Sequence, residues 1–315
     1  MKPYALQPGA VVRVLAPASP FSAAKLEAGC AELARLGYRV QRDAHLQDCE
    51  GLFAGSAAGR VESLVDAFAA ADVRGVICAR GGYGSNYLLE GLEKNRKKLR
   101  GEKGTRPKLF VGFSDLTTLQ VYFWQRFGWA SVYGPMVCAG FDNGAEGPAG
   151  YDSKSFQNAV TATGGGWSID LQGETITRGD AEGVVLGGCL TLLEATTGTE
   201  WELDTRGAIL VLEDRAMKPY QVDRVLMHLK LAGKLDKVKG LIFGDFPECE
   251  VKPGAPTIQD VIARLTGKLG IPVTWRSPIG HTERPMLTIP LGVRARFDAA
   301  GGGKLEIVEP VCAAG

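Results

Sequence analysis

Histidine is scarce in this chain: His45, His228 and His281 are the only three in 315 residues, so any imidazole chemistry must use one of them. The seven cysteines (Cys30, Cys49, Cys78, Cys138, Cys189, Cys249, Cys312) are odd in number, scattered, and never at C-x-x-C spacing. That pattern excludes a zinc ribbon or a dithiol redox site, and it predicts reduced thiols that mostly fill the core. G-x-G-x-x-G, G-x-x-x-x-G-K-[ST] and H-E-x-x-H are all missing. Dinucleotide-binding, P-loop and zinc-peptidase mechanisms therefore lack their signatures, and no cofactor or metal is expected. Charge of one sign is also missing. Thirty-six basic residues stand against 35 acidic ones, which gives no field to draw nucleic acid or an acidic membrane. No run of about 18 apolar residues predicts a membrane-spanning helix. The N-terminal "MKPYALQPGAVVRVLAPASPF" is interrupted by Arg13 and flanked by prolines, so it reads as a first strand and not a signal peptide. A cytoplasmic enzyme with a small-molecule partner is the expectation, and a metal-free hydrolase is the class left standing.

The length suits two domains on a prior of roughly 100 to 200 residues each. The first half alternates apolar strands with helical stretches, the pattern of a mainly parallel sheet flanked by helices. "VVRVLAP" leads into a helix with Leu26, Cys30, Leu33 and Leu36 at helical spacing, closed by Gly37. "YRVQR", the helical "RVESLVDAFAAAD" and the strand "RGVICA" follow. The basic "EKNRKKLRGEKGTRPK" has no interleaved aromatics and reads as a solvated loop. "KLFVGFSD" is a strand and turn, and "LTTLQVYFWQRFG" a helix. In "TATGGGWSIDLQGETITRGDAEG" helical periodicity is lost and glycine is dense, which places a linker at 164–182 between domains spanning 1–163 and 183–315. Beyond it lie the strands "AILVLEDR" and "VKGLIFGDF", the helices "PYQVDRVLMHLKLAG" and "TIQDVIARLTGKLG", and a tail of strands joined by a glycine-rich turn. The second domain is mixed α/β.

Of the histidines, His228 lies within a helix, where a surface or packing role is the ordinary one, and His45 lies in a polar stretch with nothing to fix it. His281 follows a strand in "SPIGHTERP", bracketed by Pro278, Gly280 and Pro285. Rigid loops at strand ends favour function. In "VGFSDLTTLQ", Ser114 is either a helix cap worth about 1 kcal/mol or a nucleophile lifted out of the sheet by a sharp turn after Gly112. The G-x-S-x-G elbow is incomplete, because Leu116 occupies its last position. A serine nucleophile needs a base and a group to orient that base. Glu213, ending the apolar run of "AILVLEDR", could orient an imidazole or simply pair with Arg215. In "CARGGYGSN", backbone N–H groups of the glycine turn could converge on an oxyanion. Arg80, beside that turn, is as readily a packing or ion-pair residue and is not taken as a carboxylate binder.

"ARGGYGSNYLLE", "GFSDLTTL", "LGGCLTLLEATTGT", "ILVLEDR" and "IGHTE", in this order, resemble the LD-carboxypeptidase family of serine peptidases. The likeness extends from "VLAPASP" to "PLGVRARFD". It implies a Ser-His-Glu triad: Ser114 as nucleophile, His281 as base and Glu213 as the orienting carboxylate. It also implies an oxyanion hole made by the N–H groups of Asp115 and Gly82, leaving the Asp115 side chain free to cap the helix. The implied fold is an N-terminal α/β domain, Rossmann-like and class I amidotransferase-like, with a smaller mixed C-terminal domain supplying the glutamate and histidine. The implied reaction releases terminal D-alanine from cytoplasmic murein tetrapeptides in peptidoglycan recycling, by a homodimeric enzyme. Cleavage of a microcin-type peptidyl-adenylate with the same triad is one alternative. A non-catalytic peptide- or sugar-binding module is another.

Overall fold

A computed structural model of the chain describes residues 2–101, 105–249, 251 and 254–314. The first sheet opens with five parallel strands: β1 (Val11–Leu15), β2 (Arg39–Arg42), β3 (Val73–Cys78), β4 (Leu109–Gly112) and β5 (Ser131–Tyr133). Between them run α1 (Ala23–Arg35), α2 (Ala57–Ala69), α3 (Leu89–Lys94), α4 (Arg96–Arg100) and, before β5, α5 (Thr117–Phe127). α1 buries Leu26, Cys30 and Leu33 on one face, as their spacing predicts. α2 starts before the stretch read as helical, because the Ser56 hydroxyl caps it by accepting the Gly59 N–H at 3.1 Å. The basic stretch 93–108, expected as a loop, is instead helical to Arg100. No glycine or proline interrupts it there, and Leu92 and Leu99 anchor it while the charges face out. Glu102, Lys103 and Gly104 of that stretch lie outside the described residues.

After α6 (Ser153–Thr161) the chain builds a second sheet from β6 (Trp167–Asp170), β7 (Glu174–Thr177), β8 (Asp180–Cys189), β9 (Ala208–Glu213), β10 (Gly240–Gly244) and β11 (Val273–Ser277). Helices α7 (Leu190–Thr196), α8 (Pro219–Leu231) and α9 (Ile258–Thr266) connect its parallel centre. β12 (Ile289–Leu291) then returns to the first sheet, antiparallel to β5, before the hairpin of β13 (Val293–Asp298) and β14 (Lys304–Ile307) closes the second. The strand orders are β12-β5-β4-β3-β1-β2 and β6-β14-β13-β8-β9-β10-β11-β7. The expected α/β class therefore holds, with a mainly parallel first sheet and a mixed second one. One detail differs. Residues 164–182, read as a linker, carry β6 and β7, the two edges of the second sheet, so their glycines mark bends between short edge strands. The second sheet has eight strands and the first six.

Two cores explain why the central strands are apolar on both faces. One is shared by the two sheets and contains Val76, Phe110, Val111, Val211, Ile279 and Phe297. The other fills the space between the second sheet and α7, α8 and α9, with Leu210, Leu212, Leu226 and Ile262. β9 alternates between them: Ile209 and Val211 face the shared core, Leu210 and Leu212 the outer one. The two-residue period therefore turns Glu213 toward the first sheet. In that sheet the order reverses between β1 and β3, and ligands of such sheets bind beyond the carboxyl ends of the strands at the reversal.

Candidate active site

The loops after β1, β3 and β4 meet at those carboxyl ends. With the 280–283 loop and the ends of β8 and β9, they enclose a cleft of about 740 Å³. Ser114, Gly82, His281 and Asp214 are among its lining residues. His45 and His228 lie elsewhere on the surface, bonded to Asp48 and Glu194, which leaves His281 as the imidazole of the cleft.

Ser114 follows β4 by two residues and has φ +64°. A non-glycine residue in this region is strained by roughly 1–2 kcal/mol, and such strain concentrates at functional sites. The sharp turn is thus made by the serine itself, while Gly112 ends the strand. Gly112 serves by close approach: a Cβ there would stand 3.2 Å from Leu116 Cγ. The leucine in place of the elbow's last glycine therefore packs into the space that Gly112 leaves. Gly81 does likewise across the turn, where a Cβ would lie 2.9 Å from Ser114 Cβ and 3.3 Å from the Asp115 nitrogen. The glycine turn and the serine turn thus abut at the backbone. Among the described residues no acceptor takes the Gly82 N–H.

Neither Ser114 nor Asp115 caps α5; no side chain caps its start. The Asp115 carboxylate reaches the other loop instead, accepting the Ser85 N–H at 2.7 Å, while the Ser85 hydroxyl donates to the Asp115 carbonyl at 2.5 Å. Both groups are buried. Burial pushes the Asp115 carboxyl above its ordinary value, and the bonds from Ser85 oppose it. The expected cap is thus a tie between the two turns.

Glu213 is fully buried and does not pair with Arg215, whose guanidinium bonds to Glu248. Its Oε2 accepts both the backbone N–H of His281 at 2.9 Å and His281 Nδ1 at 2.8 Å. Its Oε1 accepts the Tyr133 hydroxyl at 2.5 Å. With Nδ1–H given to the carboxylate, Nε2 is the basic nitrogen and faces away from Glu213. Burial alone would lower the imidazole's pKa. The charge and hydrogen bond of Glu213 outweigh it, so the net direction is upward from the ordinary histidine value. Gly280 makes the contact possible: it has φ +68°, and a Cβ there would fall 2.4 Å from Glu213 Cδ. Phe113 packs edge-on against the His281 ring at 5.2 Å between centroids.

Among the described residues no hydrogen bond joins Ser114 Oγ to His281. Such bonds are often open in unliganded sites and tighten around substrate. The structure therefore brings Glu213 and His281 into direct contact and puts Ser114 and Gly82 at the same cleft as His281, while Asp115 is buried behind the serine with its nitrogen against Gly81. Sequence reasoning missed Tyr133 and the contact role of Gly81. Tyr133 ends β5 in register with Gly112 of β4, and residues ending adjacent parallel strands converge on one site, but that register belongs to the folded sheet and left no local signal in the sequence. No group of three or more His, Cys, Asp or Glu side chains gathers as a metal would need, among the described residues.

Residues 12–134 match the model of the LD-carboxypeptidase N-terminal domain and residues 182–297 that of the LD-carboxypeptidase C-terminal domain. The chain belongs to the LD-carboxypeptidase family. It is therefore an enzyme of the peptidase type. A Bacillus subtilis relative named probable murein peptide carboxypeptidase is 32% identical over 302 residues, covering 95% of this chain and 92% of that one. The murein tetrapeptide carboxypeptidase of Pseudomonas aeruginosa is 28% identical over 274 residues, covering 86% and 87%. Among solved structures, the muramoyltetrapeptide carboxypeptidase of Oxalobacter formigenes superimposes with a TM-score of 0.82 at 30% identity, covering 95% of this chain and 99% of that one. The wild-type microcin C7 self-immunity protein MccF gives 0.86 at 22% identity, covering 99% and 100%. At that identity the MccF likeness establishes the fold of this LD-carboxypeptidase family member and nothing finer.

Proposed function

We propose that this cleft hydrolyses the bond between an L-configured centre and a terminal D-alanine in murein tetrapeptides, with Ser114, His281 and Glu213 as a catalytic triad. The observation that carries the assignment is the fully buried Glu213 bonded to both the N–H and Nδ1 of His281, at a cleft shared with a strained serine. His281 Nε2 takes the Ser114 hydroxyl proton as Oγ attacks the scissile carbonyl carbon. The negative oxygen that results is met by the N–H groups of Asp115 and Gly82. Collapse of the intermediate breaks the C–N bond, and D-alanine leaves with the proton from His281. Water, deprotonated by the same imidazole, then releases the acyl group from Ser114. The relatives at 28–32% identity whose names specify murein peptides support this substrate. Action in the cytoplasm during peptidoglycan recycling, as a homodimer, completes the proposal and follows from the family resemblance.

D-Alanine release from a purified murein tetrapeptide tests it. Wild type should turn over and Ser114→Ala should lose activity by orders of magnitude; full activity in Ser114→Ala would remove the nucleophile assignment. MccF, solved in complex with aspartyl sulfamoyl adenosine, bears the same fold. If this enzyme cleaves only an aminoacyl-sulfamoyl adenylate, the murein assignment fails while the triad stands. If it binds the tetrapeptide without cleaving either compound, it is a binding module.

A further inference from the structure

The side chain that joins the two halves of the proposed triad is one the reaction scheme does not use. Tyr133 ends β5 in the first sheet and has no exposed surface. Its hydroxyl donates to Glu213 Oε1 at 2.5 Å and accepts the backbone N–H of Ser114 at 3.2 Å. A phenol offers one donor and two acceptor sites, so both bonds are made at once. Burial and the adjacent Glu213 carboxylate push the Tyr133 phenol well above its ordinary pKa, which keeps its proton available for donation.

Two consequences follow. Glu213 receives three donors, from Tyr133 and twice from His281, so its buried charge is held by hydrogen bonds on both oxygens. In addition, the N–H of Ser114 is occupied by Tyr133, so this group is withdrawn from the oxyanion side. Of the serine turn, that leaves the next N–H, of Asp115, for the oxyanion in the proposed scheme. The left-handed turn at Ser114 has this bond as its tie to the neighbouring strand. A continuous path runs from the nucleophile's backbone through Tyr133 and Glu213 to His281, and it crosses from the first sheet to the second.

We infer that Tyr133 is a positioning residue of the hydrolytic site: its hydroxyl fixes the backbone turn of the nucleophile relative to the carboxylate that orients the base. This inference rests on the triad proposed above. The charged groups acting on His281 are Glu213, Asp214 and Arg215, and Tyr133 acts on the first of these. Withdrawing its hydrogen bond leaves the Glu213 charge more fully felt by the imidazole.

The test is Tyr133→Phe, which keeps the ring and deletes the hydroxyl. On the tetrapeptide that the wild type hydrolyses, kcat should fall about 10- to 100-fold, by analogy with the loss of hydrogen-bond partners that orient metal-ligating side chains. KM should change little, and the acid limb of kcat/KM should move to higher pH. A residue that merely fills space would leave the limb in place. Site-specific 3-fluorotyrosine at position 133, a stronger donor of nearly the same shape, should move the limb to lower pH, and it serves if Tyr133→Phe fails to fold. Wild-type kcat and an unmoved limb in either variant would overturn the inference. Absence of turnover by the wild type would instead overturn the proposed function.

Discussion

Replacing Glu213 by glutamine changes one oxygen to NH₂ and keeps the shape, at a position with no exposed surface and three incoming donors. The amide oxygen can serve only one side. Facing His281, it keeps both bonds to that residue and sets NH₂ against the Tyr133 hydroxyl, whose proton then has no acceptor. Facing Tyr133, it sets NH₂ against two N–H groups of His281, which is worse. The first arrangement leaves one buried donor unpaired, at about 1–3 kcal/mol of stability. The kinetic effect is larger, because the imidazolium formed during acyl transfer loses its carboxylate. In a serine protease the corresponding acid-to-amide change lowers kcat about 10⁴-fold, or about 5 kcal/mol of transition-state stabilisation.

The pH dependence fixes the sign. In the wild type, burial lowers the His281 pKa and Glu213 raises it by more, so the base is lost to protonation relatively early as pH falls. In Glu213→Gln the two largest raising influences are lost, while burial and Arg215 still lower the pKa against Asp214 alone, so the acid limb of kcat/KM should move to lower pH. Stability follows the same linkage. A raised histidine pKa stabilises the fold fully below the unfolded value of about 6.5, and the contribution is lost as pH rises through the folded value. The stability gap between wild type and variant should therefore be wider at pH 6 than at pH 8. Rates of D-alanine release and urea unfolding across that range measure both effects. Turnover within tenfold of wild type, or an acid limb that moves upward, would refute the assignment of Glu213.

Gly280→Ala should cost about 2–4 kcal/mol, combining left-handed strain with overpacking against Glu213 Cδ, 2.4 Å from the new Cβ. It should also abolish most turnover, since the carboxylate must shift; an active, stable Gly280→Ala in urea melts and rate assays would contradict the packing described. Thr117→Val separates structure from chemistry. The Thr117 hydroxyl accepts the buried Cys189 N–H at 2.9 Å, so its loss should lower the urea midpoint by the equivalent of about 1–3 kcal/mol at unchanged m. Turnover per folded molecule should stay within a few-fold, and an unchanged midpoint would show that the bond contributes nothing.

What was legible in the sequence follows the range of the signals. Ser114, Glu213 and His281 each lie where an apolar strand gives way to a turn, a local pattern that one chain displays. The alternation of β9 would even have given the side on which Glu213 emerges, had its two faces been known to meet different cores. Tyr133 was hidden because its importance comes from strand adjacency: only the pairing of β4 with β5 sets it beside the nucleophile's turn. The Asp115 carboxylate was misjudged for a related reason. A local cap was available to it, but the Ser85 N–H from a loop 30 residues away took its place. The segment 164–182 misled through composition, since glycine-rich edge strands and flexible tethers use the same residues.

The division of the site between two sheets constrains how it can be built. Ser114, Tyr133 and the glycine turn hang from the first sheet, Glu213 and His281 from the second, and β12 crosses from the later part of the chain to pair with β5. That crossing is antiparallel and adjacent to the strand that ends in Tyr133, so the residue linking the halves of the triad sits where the chain itself links them. The shared core, with Val111 one residue before Gly112 at the end of β4 and with Val211 and Ile279 two residues from Glu213 and His281, then holds the two halves in register. A cavity at any of these three core positions should therefore reach the site by displacing one sheet against the other. The Tyr133–Glu213 bond, which spans that boundary, would be the first of the site's contacts to feel it.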